Sequence, residues 1–279
     1  MSPALQSFHA FLCNARSLVV LSGAGVSTGS GIPDYRDRNG DWKYSQPIQF
    51  GEFMKSAAAR RRYWARSYIG WRRFSRAKPN AAHQALARLE EGGKVDTVIT
   101  QNVDRLHSEA GSRSVIDLHG NLAKVRCMNC GVVTERADFQ AALAAANPGW
   151  TAKAKHIRAD GDAELVKDAE ADFSVPGCAD CTGIVKPDVV MFGESVPKER
   201  VREAMDAVDR ADSLLVVGSS LMVFSGYRFA RRADELGTPL AIVNRGRTRA
   251  DDIAAVRIDE DCAEVLPPAV ESTLGTTPA

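Results

Sequence analysis

The stretch SLVVLSGAGVSTGSGIPDYRDRNGDW, residues 17–42, decides the fold. Four consecutive apolar residues, Leu18, Val19, Val20 and Leu21, run almost directly into glycines at 23, 25, 29 and 31. A short unbroken apolar run predicts a strand covered on both faces. The glycines permit positive φ and close backbone approach to a ligand, and backbone N–H groups at such a turn can hold phosphate oxygens. Ser27 adds a hydroxyl. The turn departs from the dehydrogenase fingerprint G-x-G-x-x-G. Its third glycine comes later, and the chain continues into a long polar loop instead of a compact βαβ unit. Taken alone, the turn is also compatible with an ordinary strand-to-loop connection.

Working outward, further strand candidates lie at 95–100, 114–118, 189–192, 214–217, 240–243 and 256–258, with helical patterns at 80–91, 198–212 and 226–236. Strand–helix alternation of this kind predicts an α/β fold, a doubly wound parallel, Rossmann-like sheet. Two regions interrupt it. Residues 31–76 begin with turn formers and end in an Arg- and aromatic-rich helix. Residues 122–187 carry paired cysteines, a helix at 138–146 and an acidic stretch at 160–172. These insertions are expected to form a smaller domain, leaving residues 1–30, 77–121 and 188–279 as the sheet domain.

The balance of 36 Lys plus Arg against 35 Asp plus Glu gives a net charge of +1, which speaks against a general nucleic-acid binder. The 44% hydrophobic and 25% charged content excludes a globally disordered chain. No run of ~18 apolar residues appears, so no membrane partner is expected. The first twenty residues lack a basic n-region and a cleavage site, which points to a cytoplasmic protein, and the heavy use of Ala and Arg points to a bacterial one.

Cys127 and Cys130 form one C-x2-C pair and Cys178 and Cys181 a second, 47 residues further on. Each spacing lets one tight turn present two sulfurs to one ion, and two such turns complete a tetrahedron of thiolates. Four protein ligands imply a structural zinc; the alternative is redox chemistry at either pair.

The order of the remaining motifs is GAGVSTGSGIPDYR (23–36), TQNVDRLHSEAG (100–111), DLHG (117–120), the cysteine pairs, KPDVVMFGE (186–194), GSSL (218–221) and VNRG (243–246). In order and content the chain closely resembles the sirtuin family of NAD-dependent protein deacylases, and most of all its class II mitochondrial and bacterial branch. The resemblance implies an NAD-binding domain, a small zinc domain, NAD as co-substrate and acylated-lysine proteins or peptides as partners. It implies transfer of the lysine acyl group to ADP-ribose with release of nicotinamide. A protein mono-ADP-ribosyltransferase using the same site is the second enzymatic reading. A non-catalytic NAD-sensing module is a third.

Residue by residue, the resemblance assigns His119 as general base, a task suited to an imidazole at neutral pH. It makes Asn102 and Asp104 its catalytic companions, at the nicotinamide ribose and amide respectively. Cofactor contacts fall on Gly23, Ala24, Gly25, Ser27, Ile32, Asp34, Tyr35, Arg36, Trp42, Gln101, Val103, Gly218, Ser219, Ser220, Asn244, Arg245, Gly246 and Cys262. Val190, Met191, Phe192 and Gly193, together with residues 218–223, match the strands that pair with an extended acyl-lysine peptide. Tyr35, Ser219 and Ser225 replace the family's usual Phe, Thr and Pro.

Residues 60–76 hold seven Arg and five aromatic residues and no acid. One reading is an amphipathic helix with Trp64, Tyr68 and Trp71 turned inward. The other places Tyr63 and Arg66, one helical turn apart, in the acyl channel, because Tyr-x-x-Arg resembles the acid-recognising pair of sirtuins that remove succinyl-like groups.

Overall fold

The computed structural model describes residues 2–43, 46–152, 154–157, 161–165 and 169–275. Contacts group the chain into two compact units, Met1–Tyr44 with Lys78–Leu118 and Val196–Ala279, and Ser45–Ala77 with His119–Ser195. The strands in chain order are β1 (Leu18–Ser22), β2 (Val95–Thr100), β3 (Val115–Asp117), β4 (Gly120–Cys127), β5 (Val133–Glu135), β6 (Ala154–Ile157), β7 (Ala163–Leu165), β8 (Val185–Val189), β9 (Ser213–Val217), β10 (Leu240–Val243) and β11 (Val256–Ile258).

In the first unit six strands form a parallel sheet in the order β11-β10-β9-β1-β2-β3. From β1 the chain winds one way to β3 and later the other way to β11. Strand order therefore reverses between β1 and β9, and the carboxyl ends of these two strands are where such sheets take ligands. All five residues of β1 and all five of β9 are buried. Side chains alternate between faces. Leu18 and Val20 pack with Phe8, Leu86 and Leu266 from the helices Pro3–Asn14, Ala81–Glu91 and Cys262–Gly275. Val19 and Leu21 pack on the other side with Val208 and Phe229 from Lys198–Arg210 and Phe224–Leu236. Covering on both faces is why the sequence shows an unbroken apolar run, and each large side chain so buried contributes about 1.5–3 kcal/mol.

The second unit holds the antiparallel sheet β5-β4-β8, the hairpin β6–β7 and the helices Phe50–Lys55, Ala57–Phe74 and Arg136–Ala146. Ser56 starts the long helix by accepting the Ala59 N–H at 3.1 Å. The core collects Phe53, Tyr63, Trp64, Tyr68, Phe139 and Leu143. Trp64 is fully buried and donates its indole N–H to Val185 O at 3.1 Å. Arg136, also fully buried, lies 5.2 Å from the Trp64 ring and 5.0 Å from Trp71, so its charge is sheltered by two aromatic faces. Burial lowers its pKa to about 10.

Two expectations need correcting. The run at 189–192 is not a strand of the parallel sheet. The strand there is β8, it begins at Val185, and it pairs antiparallel with β4, which the apolar pattern did not reveal. Its early residues include Lys186 and Pro187, which masked it. The boundaries also differ in detail. Residues 31–43 group with the sheet unit, where the Arg247 N–H donates to Arg38 O at 2.8 Å. Residues 188–195 group with the cysteine unit, where the Phe50 N–H donates to Phe192 O at 2.8 Å. Part of the acidic stretch lies outside the described residues. No helix among the described residues is long and apolar enough to cross a membrane.

Candidate functional site

In the sheet unit, the turns after β1 and β9 touch backbone to backbone. The Gly23 N–H donates to Val217 O at 3.1 Å and the Gly25 N–H to Gly218 O at 2.8 Å. A Cβ on Gly25 would meet the Gly218 carbonyl oxygen at 2.8 Å, and one on Gly218 (φ +59°) would meet Val26 N at 2.2 Å. Only glycines allow this approach. It brings Gly23, Ala24, Gly25, Ser27 and Gly218, Ser219, Ser220 to the switch point. Leu221 takes a left-handed conformation at φ +56°, with its N–H 3.3 Å from Ser219 Oγ, a strained non-glycine position at this turn.

The segment after β2 lies beside them. Gln101 Nε2 donates to Ser219 Oγ at 2.7 Å. Asn102 Nδ2 donates to Gly23 O and to Ser27 Oγ, both at 3.1 Å. Ser27 Oγ donates to Asp104 Oδ2 at 2.7 Å, and Asp104 Oδ1 accepts the Leu106 N–H at 3.0 Å. Burial raises the Asp104 pKa, while these hydrogen bonds favour the carboxylate. Val103 lies between Asn102 and Asp104, and Ile32 is buried with its N–H donating to Ser27 O at 3.3 Å. Asp117 at the end of β3 is pushed up to about 6 by burial, with Arg200 opposing and Asp104 reinforcing the shift.

Residues 34–43 fold on themselves. Arg36 bridges to Trp42, its guanidinium carbon 4.3 Å from that ring, and Arg36 Nη1 donates to Gly40 O at 2.6 Å. Tyr35 meets Trp42 edge-on at 6.0 Å, and Lys43 pairs with Asp34. At the other end of the site Asn244 closes β10, and its amide donates to Arg245 O at 2.9 Å. Arg245 lies 3.3 Å from Asp261, and the Gly246 N–H donates to Asp259 at 2.7 Å. Cys262 is buried at the start of the last helix, its Sγ 3.7 Å from Gly25 O, and burial pushes its thiol up to about 12.

In the second unit His119 immediately precedes β4. Its carbonyl accepts the Val190 N–H at 2.7 Å. Gly120 (φ +85°) follows, packed so closely on β8 that a Cβ would meet Asp188 O at 2.2 Å. The backbone of the proposed base is thus fixed to the strand that leads into Val190, Met191, Phe192 and Gly193. That loop is held in turn by Phe192 O accepting the Phe50 N–H, by Gln49 bridging Phe192, and by Met191 N–H donating to Glu194 at 2.9 Å.

Cys127, Cys130, Cys178 and Cys181 place their sulfurs within 4.8 Å of one another. The Cys127–Cys181 and Cys130–Cys178 separations are 3.5 and 3.8 Å. Thiolates ~2.3 Å from zinc at tetrahedral corners lie about 3.8 Å apart, so the four fit that ion. The Cys130 and Asn129 N–H groups donate to Cys127 Sγ at 3.5 and 3.4 Å, which lowers its pKa and favours the thiolate. A Cβ on Gly183 would fall 3.0 Å from Cys127 Sγ and 3.1 Å from Cys181 Sγ, so a larger residue would crowd the cluster. Four filled positions leave no open coordination site for chemistry, and the metal's part is structural.

The Tyr63–Arg66 pair finds partners other than those expected. Tyr63 is buried, edge-on to Phe53 at 5.4 Å and Trp64 at 5.3 Å. Arg66 Nε lies 2.6 Å from Asp162 Oδ1 and 3.1 Å from Ala163 O. A carboxylate of its own chain sits against Nε, while Nη2 is buried with no hydrogen-bond partner among the described residues. Trp64 and Tyr68 point inward as the amphipathic reading requires, while Trp71 is half-buried. Sequence reasoning passed over Lys186, Glu194, His83 and His107. For His83 a signal existed, since a polar side chain three residues after Asn80 has capping-box spacing.

A doubly wound sheet with two glycine turns meeting at its switch point, in a chain that also carries a four-thiolate module, defines a nucleotide-binding protein with a structural metal site. The Sir2 family model matches residues 23–225, and the chain belongs to the Sir2 family, the sirtuins. An "NAD-dependent protein deacetylase" of Bordetella bronchiseptica is 55% identical over 94% of this chain and 96% of its own length. The "NAD-dependent protein deacylase Sirt4" of Drosophila melanogaster is 47% identical over 92% of this chain and 83% of its own length. A solved structure described as "Sir2-p53 peptide-NAD+" superposes with a TM-score of 0.79 at 34% identity, covering 98% of each chain.

Proposed function

We propose that the chain is an NAD-dependent protein-lysine deacylase that moves the acyl group from lysine to ADP-ribose and releases nicotinamide. The observation that carries this reading is the backbone contact between Gly25 and Gly218 at the switch point, with Asn102 and Asp104 anchored beside it, in a chain of this family. NAD supplies an electrophilic ribose carbon and nicotinamide as leaving group. The turns at Gly23–Gly25 and Gly218–Ser220 border its phosphates, and the donors there are N–H groups other than those of Gly23, Gly25 and Gly218, which already bond Val217 O, Gly218 O and Val243 O. Asn244, Arg245 and Gly246 take the adenosine ribose, and the backbone at Cys262 borders the adenine. Asp104, with its Oδ2 held by Ser27, turns its carboxylate to the nicotinamide amide. Asn102 and Gln101 position the ribose, and Tyr35, Arg36 and Trp42 cover the cofactor. His119 accepts a ribose hydroxyl proton as general base. Val190, Met191, Phe192 and Gly193 pair with the backbone of an extended acyl-lysine peptide. Four reduced cysteines clustered for a metal support a cytoplasmic location.

The test is a panel of acetyl-, succinyl- and long-chain acyl-lysine peptides incubated with NAD and read by mass spectrometry. The proposal requires equimolar nicotinamide, O-acyl-ADP-ribose and free lysine peptide. ADP-ribosylated protein without deacylation would replace it with the transferase reading, and no NAD consumption would refute both.

A further inference from the structure

Two histidines that the reaction does not use lie under the Asn102–Asp104 segment. His83, on the helix Ala81–Glu91, and His107, on the short helix Leu106–Glu109, are both essentially without solvent exposure. Their rings meet edge-on at 4.9 Å. The hydrogen bonds around them determine which nitrogen of each carries its proton.

His83 Nδ1 accepts the Asn80 N–H at 3.3 Å, which puts the ring proton on Nε2. Nε2 lies 3.4 Å from Ser27 Oγ. Ser27 has one proton, and it goes to Asp104 Oδ2 at 2.7 Å. Its lone pairs then face two donors, Asn102 Nδ2 at 3.1 Å and His83 Nε2–H. The hydroxyl is saturated in one orientation only.

His107 repeats the pattern beneath the Asn102 backbone. Its Nε2 is 2.8 Å from Ser22 Oγ, and Ser22 donates its only proton to Thr100 Oγ1 at 2.9 Å. Ser22 must therefore accept from His107 Nε2–H. Thr100 Oγ1 also accepts the Asn102 N–H at 3.1 Å. Nδ1 of His107 is buried without a hydrogen-bond partner among the described residues, as fits a bare lone pair better than an N–H.

We propose that His83 and His107 are positioning residues, each a neutral Nε2–H donor that orients one serine hydroxyl, and that together they fix the side chain and backbone of Asn102 and the carboxylate of Asp104 for the nicotinamide end of NAD. The inference rests on the assignment of Asn102 and Asp104 to that end of NAD. Burial supports it by holding the pKa of His83 at about 4 and that of His107 at about 3, with His83 adding to the shift of His107. Both rings therefore stay neutral through the range in which the enzyme works.

His83 has two separable duties. Asparagine places an oxygen where Nδ1 accepts from Asn80, so His83→Asn keeps the cap and removes the donor to Ser27. Glutamine places an N–H near Nε2, so His83→Gln keeps the donor, and the cap persists because the Asn80 side chain still accepts the Ala82 N–H. The experiment measures melting temperature, kcat, and KM for NAD and for an acetyl-lysine peptide on the full chain. His83→Asn is expected to melt close to the parent, yet to lose kcat/KM for NAD by ~10–100-fold, the scale of a small misplacement, with the peptide KM little changed. His83→Gln is expected to melt close to the parent and to turn over within ~3-fold of it, because the hydrogen bond to Ser27 persists. His107→Gln against His107→Asn gives a second comparison, with Gln the active one. Activity that simply follows melting temperature across the four variants overturns the positioning role. Asn102→Ala serves as the control. If it retains turnover, the site assignment itself is wrong and the inference goes with it. If it abolishes turnover while His83→Asn and His107→Asn stay fully active, only the positioning role is wrong.

Discussion

Lys186 Nζ lies 3.0 Å from Glu194 Oε2, and that same oxygen accepts the Met191 N–H at 2.9 Å. Lys186 also donates to Val189 O, and the residue is only 4% exposed. The loop proposed to pair with the peptide is therefore closed around a buried ammonium. Burial lowers the pKa of Lys186, against the opposing pull of the Glu194 carboxylate. Removing one partner of a buried ion pair typically costs about 3–5 kcal/mol. Lys186→Met is expected to raise the KM for acyl-lysine peptide ~10-fold through a displaced loop, with KM for NAD unaffected. Initial-rate kinetics with each substrate varied in turn check this, and equal effects on both substrates would count against a loop-specific role.

The zinc prediction concerns folding. One metal per chain is expected, and Cys130→Ser should lower the melting temperature of the second unit, since in such sites metal-binding energy is folding energy. Chelation should do the same reversibly. Metal analysis of freshly purified active protein that finds no zinc would remove the assignment.

His119→Tyr is expected to fold, retain zinc and bind peptide, while turnover falls by ~10²–10⁴, the usual contribution of a general base. Near-normal turnover by the folded variant, measured as nicotinamide release, would take the base role away from His119.

Much of this was readable in the sequence because the physics was local. Leu18 to Leu21 announced a doubly covered strand, whereas glycines 23 and 25, read as room for a ligand, are seen making room for the turn at Gly218. The two C-x2-C pairs announced a tetrahedral cluster. The failures arose where one distant partner changed the meaning of a residue. Lys186 and Pro187 look hostile to a strand, yet Lys186 is buried because Glu194, eight residues on, neutralises it. In β4, Leu122, Val125 and Cys127 are inward, but a register irregularity between Gly120 and Val125 breaks the period of two that would have exposed the strand. The contact between Arg66 and Asp162 was likewise not visible nearby in sequence, and it leaves the acyl-channel role of Arg66 to experiment.

Asp162 bears directly on acyl selectivity. With Arg66 Nε 2.6 Å from its carboxylate, the guanidinium serves the fold, so Arg66→Met is expected to destabilise the chain by about 3 kcal/mol. It should reduce kcat/KM for acetyl- and succinyl-lysine peptides alike. A selective collapse of succinyl-lysine turnover would mean instead that Arg66 exchanges Asp162 for a substrate carboxylate.

The buried imidazoles also set the acid limit of stability. His83 and His107 are lowered to about 4 and about 3 from an unfolded value near 6.5. Between those limits the unfolded chain binds more protons, so stability rises with pH and is lost as pH falls below 6.5. From pH 6.5 to 5 the loss is roughly 2 kcal/mol for each ring. Asp117 has the opposite slope. With its pKa raised to about 6, the folded state holds a proton the unfolded state has released, so its contribution declines as pH rises from about 4 to 6. The wild-type slope is the sum of these, and a variant isolates one part. His107→Gln removes one titrating ring while keeping the donor to Ser22. Urea unfolding at pH 5, 6 and 7 should then show a smaller stability loss on acidification for the variant than for the parent, by roughly 2 kcal/mol at pH 5. Parallel pH profiles for the two proteins would mean that His107 titrates freely in the folded chain, contrary to its burial beneath Ser22.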